Sequence, residues 1–452
     1  MSGITSQVEA VLLGASSPDD AALDDILKKA VSQEGITLDE AATLLMVESP
    51  EHLDMLCNAA GRVKEAVFGP RVVLFAPLYL SNFCSNDCSY CGFRISNKAA
   101  GRKALTPDEA VEQARILSSR GFKRLLLVAG EHEGRSGVGY LTEVAGAIYK
   151  KTDIRILHVN CAPLSVEGFR ALKSAGYGVY QCFQETYHPG AYEAAHPSGR
   201  KRDYHYRLSA MDRALEAGFG DVGIGALLGL YDYHYDALAT IAHSMHLEAV
   251  FGAAAHTISV PRLRHAEGSA LDSPPFPVDD TAFKKILAVY RLSVPYAGVV
   301  VSTREPAALR EEALTIGASQ VSAGSSTEPG GYDDATHSAS QFEVSDIRSL
   351  SEMVEVVARR GLLPSFCTSC YRSGRQGEEF RELAGSGAIK DFCTPNALLS
   401  LKEYIIDNAE GDTKRLCEET LARFVEMVDG PLKRDLLSKL ARVEKGERDI
   451  HY

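Results

Sequence analysis

The chain has 452 residues, with 60 acidic against 48 basic side chains, a formal charge of −12, 45% hydrophobic and 8% aromatic residues. Those are the proportions of an ordinary globular protein, with room for one large domain and appendages or for two or three domains. An acidic balance without a concentrated basic face argues against nucleic acid as a partner. No run approaches the ~18 apolar residues of a membrane span, and the opening MSGITSQVEAVLLG lacks the basic region of a secretory signal. A cytoplasmic location is expected, with no membrane contact.

Residues 1–70 read as helices. Ser17-Pro18 with Asp19 and Asp20 opens one, and Thr37-Leu-Asp-Glu40 is a capping box for another. From Val72 the pattern changes to short apolar runs alternating with amphipathic helices. VVLFAPLYL (72–80) reads as a strand, TPDEAVEQARILSSRG (106–121) as a capped helix and RLLLVAG (124–130) as the next strand. A strand at 155–160, a helix at 165–175 and the strand GVYQCFQE (178–185) follow. Then come helix 207–217 with strand 221–229, helix 236–251 with HTISVPR (256–262), helix 279–293 with GVVVSTRE (298–305), and helix 306–316 with QVSAGS (320–325). About eight β/α units in roughly 270 residues predict a parallel sheet closed into a TIM-type (β/α)8 barrel, with a doubly wound open sheet as the alternative. The expected divisions are an N-terminal helical segment (1–70), the barrel (71–345) and a helical, cysteine-bearing C-terminal domain (346–452).

Ten cysteines in a reducing compartment point to metal ligation rather than disulfides. Cys57, Cys161, Cys182 and Cys417 stand alone and read as small buried hydrophobes. Cys84-Ser-Asn-Asp-Cys88-Ser-Tyr-Cys91 has the spacing C-x3-C-x2-C and follows the first barrel strand, the end of a barrel where chemistry is built. Three thiolates rather than four leave one iron of a [4Fe–4S] cluster open to a chelating substrate. The competing reading is a zinc knuckle with a distant fourth ligand. The spacing, with Tyr90 before the third cysteine, resembles the signature of the radical SAM superfamily. That resemblance implies S-adenosylmethionine on the open iron and its reductive cleavage to a 5′-deoxyadenosyl radical. It also makes Tyr90, Gly130, Glu131, Glu185 and Arg207 candidate contacts for the cofactor: Gly130-Glu131 ends the second strand, where members carry a Gly-Gly-Glu-like motif, while Glu185 and Arg207 offer a carboxylate and a guanidinium.

A second trio, Cys367-Thr-Ser-Cys370 with Cys393 after 22 further residues, fits a structural zinc site or a second iron–sulfur cluster. Beyond these motifs the chain resembles the HydG family of tyrosine-cleaving radical SAM maturases of [FeFe]-hydrogenase. The resemblance is carried by FAPLYLSNFC (75–84), FQETYHPGAYEAAHPSG (183–199), HTISVPRLR (256–264), STREPAALR (302–310), QVSAGSSTEPGGY (320–332), CTSCYRSGRQGEEF (367–380) and FCTPNALLSLKEYIIDNA (392–409). It implies cleavage of the Cα–Cβ bond of L-tyrosine to p-cresol and dehydroglycine. Carbon monoxide and cyanide are then formed at an auxiliary [4Fe–4S] or [5Fe–5S] cluster that carries an extra iron and a free cysteine. It further implies a low-potential donor such as ferredoxin or flavodoxin, and other hydrogenase maturases as partners. Arg304 is the candidate for the substrate carboxylate and is grouped with Glu185 as catalytic; the alternative for Arg304 is an ion pair with Glu305. His256, at the start of its strand and hence on the barrel floor, is the candidate ligand of the extra iron, or else an ordinary hydrogen-bonded histidine. The related ThiH lyases, which stop at 2-iminoacetate, lack the second trio. A ThiH-like synthase and a non-catalytic iron–sulfur scaffold are the competing functions.

Overall fold

Four helices, Ile4–Gly14, Asp20–Val31, Leu38–Leu45 and Pro50–Phe68, precede the first strand in the computed structural model, which describes residues 3–32, 35–333 and 339–452. The third begins on the capping box read from the sequence. Glu40 N donates to Thr37 Oγ1 at 3.2 Å and Thr37 N to Glu40 Oε2 at 2.6 Å, satisfying two N–H groups that have no partner inside the helix. Thr106 and Glu109 start helix Pro107–Ser119 in the same way.

Eight strands follow: β1 (Arg71–Ser81), β2 (Arg124–Ala129), β3 (Ile156–Asn160), β4 (Tyr177–Gln181), β5 (Asp221–Gly225), β6 (Thr257–Ser259), β7 (Gly298–Val301) and β8 (Gln320–Ser322). Each pairs in parallel with the next, and β1 pairs with both β2 and β8, so the sheet closes on itself. The architecture is the TIM-type barrel, and the open-sheet alternative falls. Strands covered on both faces, by helices outside and side chains inside, read as the nearly continuous apolar runs seen in the sequence.

Most strands are shorter than those runs. The segment 178–185 leaves β4 at Gln181, and by Glu185 the backbone has turned to φ 71°, a left-handed conformation that side chains rarely adopt. Phe183, Leu227 and Leu263, beyond the ends of β4, β5 and β6, instead line the cavity at the barrel mouth. The helix expected over 207–217 is two helices, Tyr204–Leu208 and Ala210–Glu216, meeting at Ser209. Helix Val138–Lys151 was not singled out in the sequence, nor was a ninth strand, β9 (Leu363–Ser365), whose central proline argues against a strand. β9 pairs in parallel with Arg71–Val73; Val73 faces Gln320 on one edge and Ser365 on the other. The C-terminal region is otherwise helical, and its longest helix, Lys390–Asp407, packs against β9, with Phe366 stacked on Tyr404 at 4.8 Å. No helix among the described residues is long and apolar enough to cross a membrane.

Candidate active site

The cysteine loop leaves β1 and caps the C-terminal end of the barrel. Cys84, Cys88 and Cys91 line one cavity together with Tyr90, Gly130, Glu131, Glu185, Arg207 and Arg304, so every residue singled out for this end is brought to one place. Ser85 holds the loop to the end of β2 by donating its N–H (2.9 Å) and hydroxyl (2.8 Å) to the Glu131 carbonyl. Gly130 allows this approach: a Cβ there would run into the Phe83 carbonyl oxygen.

The polar wall is a closed charge network. Arg207 Nη1 stands 2.9 Å from Glu131 Oε1, and its Nη2 is 3.5 Å from Glu185 Oε1. Asn86 Nδ2 donates to Glu131 Oε2 at 2.8 Å, and Lys201 Nζ to Glu185 Oε1 at 2.5 Å. Burial by itself would raise both carboxyls. For Glu185 the Lys201 and Arg207 charges outweigh it and hold the group down at about 2; for Glu131 the same two cations lower it. Both acids are therefore ionised acceptors near neutral pH. Tyr90 OH pairs with His196 Nε2 at 2.9 Å, and Lys201 Nζ lies 5.6 Å from the Tyr90 ring centre.

Arg304 differs from its neighbours. Its guanidinium lies 3.3 Å above the Phe342 ring, and among the described residues no acceptor reaches it. The ion pair considered between Arg304 and Glu305 does not form. The Glu305 carboxylate is taken by Arg262 Nε and Arg264 Nη2, both at 2.8 Å. Arg304 instead points a free cation into the space where the upper cavity opens into the barrel interior, beside Phe183, Val128 and Gln341.

The inward face of the strands continues downward. Tyr79, Pro77, Phe75 and then Val73 on β1, Val300 and then Gly298 on β7, and Ser322 and then Gln320 on β8 line successive levels of the interior, as the two-residue period of a strand requires. At the floor a further cavity is lined by Cys367, Cys370, Cys393 and His256. His256 Nε2 meets Tyr371 OH at 2.9 Å. Its Nδ1 lies 3.2 Å from Asp221 Oδ1, not aligned for a hydrogen bond. Arg71 and Arg124 line the same cavity. Cys370 is pushed well below the ordinary thiol value, first by its hydrogen bond with Cys393 and then by Arg71 and Arg375, while Cys393 is pushed up.

Of the lone cysteines, Cys161, Cys182 and Cys417 are buried as expected, but Cys57 is only half-buried. Lys201, Asn86, His196 and the Arg71, Arg124 and Arg375 surround escaped the sequence reading. Lys201 sits in the run Arg200-Lys-Arg202, which looks like solvated charge, and Asn86 between the cysteines carries no local signal of its own.

Residues 78–244 match the Radical SAM superfamily, and residues 259–363 the Biotin and Thiamin Synthesis associated domain. A crystal structure of HydG, a maturase of the [FeFe]-hydrogenase, superposes with a TM-score of 0.96 at 44% identity over 100% of both chains. The chain belongs to the HydG family of radical SAM enzymes. The HydG of Carboxydothermus hydrogenoformans is similar at 38% identity and a TM-score of 0.86, over 97% of this chain and 99% of that one. The 2-iminoacetate synthases of Salmonella typhimurium and Escherichia coli are each 32% identical over 75% of this chain and 89% of theirs. Membership of a HydG-type radical SAM family implies a [4Fe–4S] cluster and S-adenosylmethionine. The upper cavity fits both: three thiols spread along one loop, with ionised carboxylates and an arginine on the facing wall for the amino and carboxylate groups of methionine.

Proposed function

We propose that this chain is a tyrosine lyase that also makes carbon monoxide and cyanide for the cofactor of [FeFe]-hydrogenase. The observation that carries the reading is the pair of three-cysteine cavities at opposite ends of one barrel, joined by the inward face of its strands. The 44% identity with HydG over the whole chain supports it. In this reading Cys84, Cys88 and Cys91 hold a [4Fe–4S] cluster, and Cys367, Cys370 and Cys393 hold an auxiliary [4Fe–4S] or [5Fe–5S] cluster. His256 would then be the protein ligand of the extra iron, with a free cysteine beside it. When bound with S-adenosylmethionine, the first cluster supplies one-electron cleavage of the sulfonium and thus a hydrogen-abstracting radical.

The chain's own groups do the rest. Glu131 and Glu185 accept from the amino group and ribose of the cofactor, and Arg207 donates to its carboxylate. Arg304, the cation without a counterion, pairs with the carboxylate of L-tyrosine. The apolar walls at Val128, Phe183 and Val260 take the ring and keep water from the reacting carbons. Dehydroglycine, small and polar, then moves down the interior past Ser322 to the floor, while p-cresol leaves by the mouth. Segments 1–70, 71–345 and 346–452 act as support, lyase and auxiliary-cluster carrier. A low-potential ferredoxin or flavodoxin and other hydrogenase maturases are the partners, in the cytoplasm.

The test is anaerobic, reconstituted enzyme with S-adenosylmethionine and tyrosine, assayed together for p-cresol, cyanide and CO. A Cys367→Ala/Cys370→Ala variant is expected to keep p-cresol formation and lose CO; full CO production by that variant sinks the proposed role of the lower site. A second reading, a 2-iminoacetate synthase, is favoured by the kinship at 32% identity. It predicts p-cresol without CO from the unsubstituted enzyme as well.

A further inference from the structure

Cys84 differs from the other two cysteines of its loop. It lines the inner cavity with them, and it also lines a groove on the outside of the loop, with Ile95, Lys98, Arg102 and His132. Cys88, by contrast, is buried.

The groove is ringed by cations that lack acids. Among the described residues, Lys98 Nζ meets only the Ile95 carbonyl, at 3.1 Å. Arg102 donates to the carbonyls of Asn82, Phe93, Arg94 and Asn97. Arg135 lies over the Phe83 ring at 5.2 Å, and that ring in turn packs on His132. The nearby acids are engaged elsewhere, Asp87 with Arg94 and Glu133 with Arg200. Residues 83–103 carry four basic side chains and one acidic one, in a chain whose total charge is −12. In the middle of this collar Ile95 is 44% exposed. An exposed apolar residue beside cations without acidic partners has the chemistry that recognises an acidic protein.

We infer that this groove is where a small, acidic, low-potential electron-carrier protein docks, with its centre facing Cys84. The inference rests on the proposed role of Cys84 as a cluster ligand. Each encounter moves one electron: the reduced carrier loses it, the cluster gains it, and no bond or proton changes place. The net charge of −12 opposes non-specific approach of an acidic carrier, so the collar favours one orientation as well as attraction.

The test uses the holoenzyme, an acidic bacterial ferredoxin as probe, and the variant Lys98→Glu/Arg135→Glu. Binding of oxidised ferredoxin is expected to weaken about tenfold or more at low salt, and the salt dependence of binding to flatten. Formation of 5′-deoxyadenosine driven by reduced ferredoxin is expected to fall about fivefold or more, while that driven by reduced methyl viologen, a cation, stays within about twofold. Lys98→Gln/Arg135→Gln is expected to fall between, which covers the case in which charge reversal disturbs the loop. Unchanged ferredoxin affinity overturns the docking surface, as does an equal loss with viologen. Absence of viologen-driven cleavage in the unsubstituted enzyme overturns the cluster assignment itself.

Discussion

The Asp236 carboxylate accepts the backbone N–H of Tyr187 at 2.7 Å, and the same oxygen takes the Thr186 hydroxyl at 3.0 Å. A buried acid on helix Tyr233–Phe251 thus grips the chain just past Glu185, the residue whose φ of 71° turns its carboxylate into the cavity. Such a conformation costs about 1–3 kcal/mol and persists only where its surroundings hold it. Asp236→Leu removes the acceptor and is expected to weaken binding of S-adenosylmethionine by about tenfold or more, measured by equilibrium dialysis. Asp236→Asn keeps one acceptor oxygen and is expected to bind within about threefold of the unsubstituted enzyme.

The same residue gives a pH dependence. Burial raises the Asp236 carboxyl to about 7, against the hydrogen bonds from Tyr187 and Thr186 that lower it. The folded state therefore holds this proton more tightly than the unfolded chain, so the contribution to stability is full at acid pH and lost as pH rises towards 7. Between about pH 5.5 and pH 7 the loss is on the order of 2 kcal/mol. Denaturant titrations of Asp236→Asn across that range are expected to show a flatter profile than the unsubstituted chain; parallel profiles exclude the assignment.

Arg304 gives the cleanest separation of substrate from cofactor. Its guanidinium meets no acceptor among the described residues, whereas Arg207 is already paired. Arg304→Gln is expected to raise KM for tyrosine by about 10–100-fold, as loss of a charge-assisted pair of ~1.5–3 kcal/mol implies. Tyrosine-independent formation of 5′-deoxyadenosine should persist. A variant that loses both reactions places Arg304 in cofactor binding instead.

Gly130 tests the coupling between β2 and the cysteine loop. A methyl group there meets the Phe83 carbonyl, a backbone atom that cannot swing aside. Gly130→Ala is expected to leave the far-ultraviolet circular dichroism unchanged. Iron bound at the upper site should fall by about half or more, because cysteines displaced by ~0.5 Å no longer present their thiolates together. Full iron loading would show that the loop yields.

What could be read in advance was local. The capping boxes at Thr37 and Thr106, the helix and strand periods, and the spacing of Cys84, Cys88 and Cys91 each lie within a few residues of chain. What could not be read is set across long separations. Lys201 looks like surface charge until Glu185 is placed 2.5 Å from it. Gln341 joins the cavity wall beside Tyr79, whose hydroxyl it accepts at 2.7 Å across 262 positions. Arg155, from the barrel, and Glu403, from the C-terminal helices, pair at 2.5 Å across 248 positions. The apolar runs outlast the strands because residues beyond the strand ends stay buried while leaving the ladder, and apolar pattern alone does not distinguish the two.

The double pairing of Val73 bears on the order of synthesis. The first barrel strand to leave the ribosome finds one neighbour in Gln320–Ser322 and another in Leu363–Ser365, so its lower half stays unpaired until most of the chain has been made. An unpaired strand edge is a template for association with other chains. The nascent protein accordingly carries an open strand edge through most of its translation, and a chain truncated before residue 363 is expected to aggregate rather than to fold into a smaller lyase.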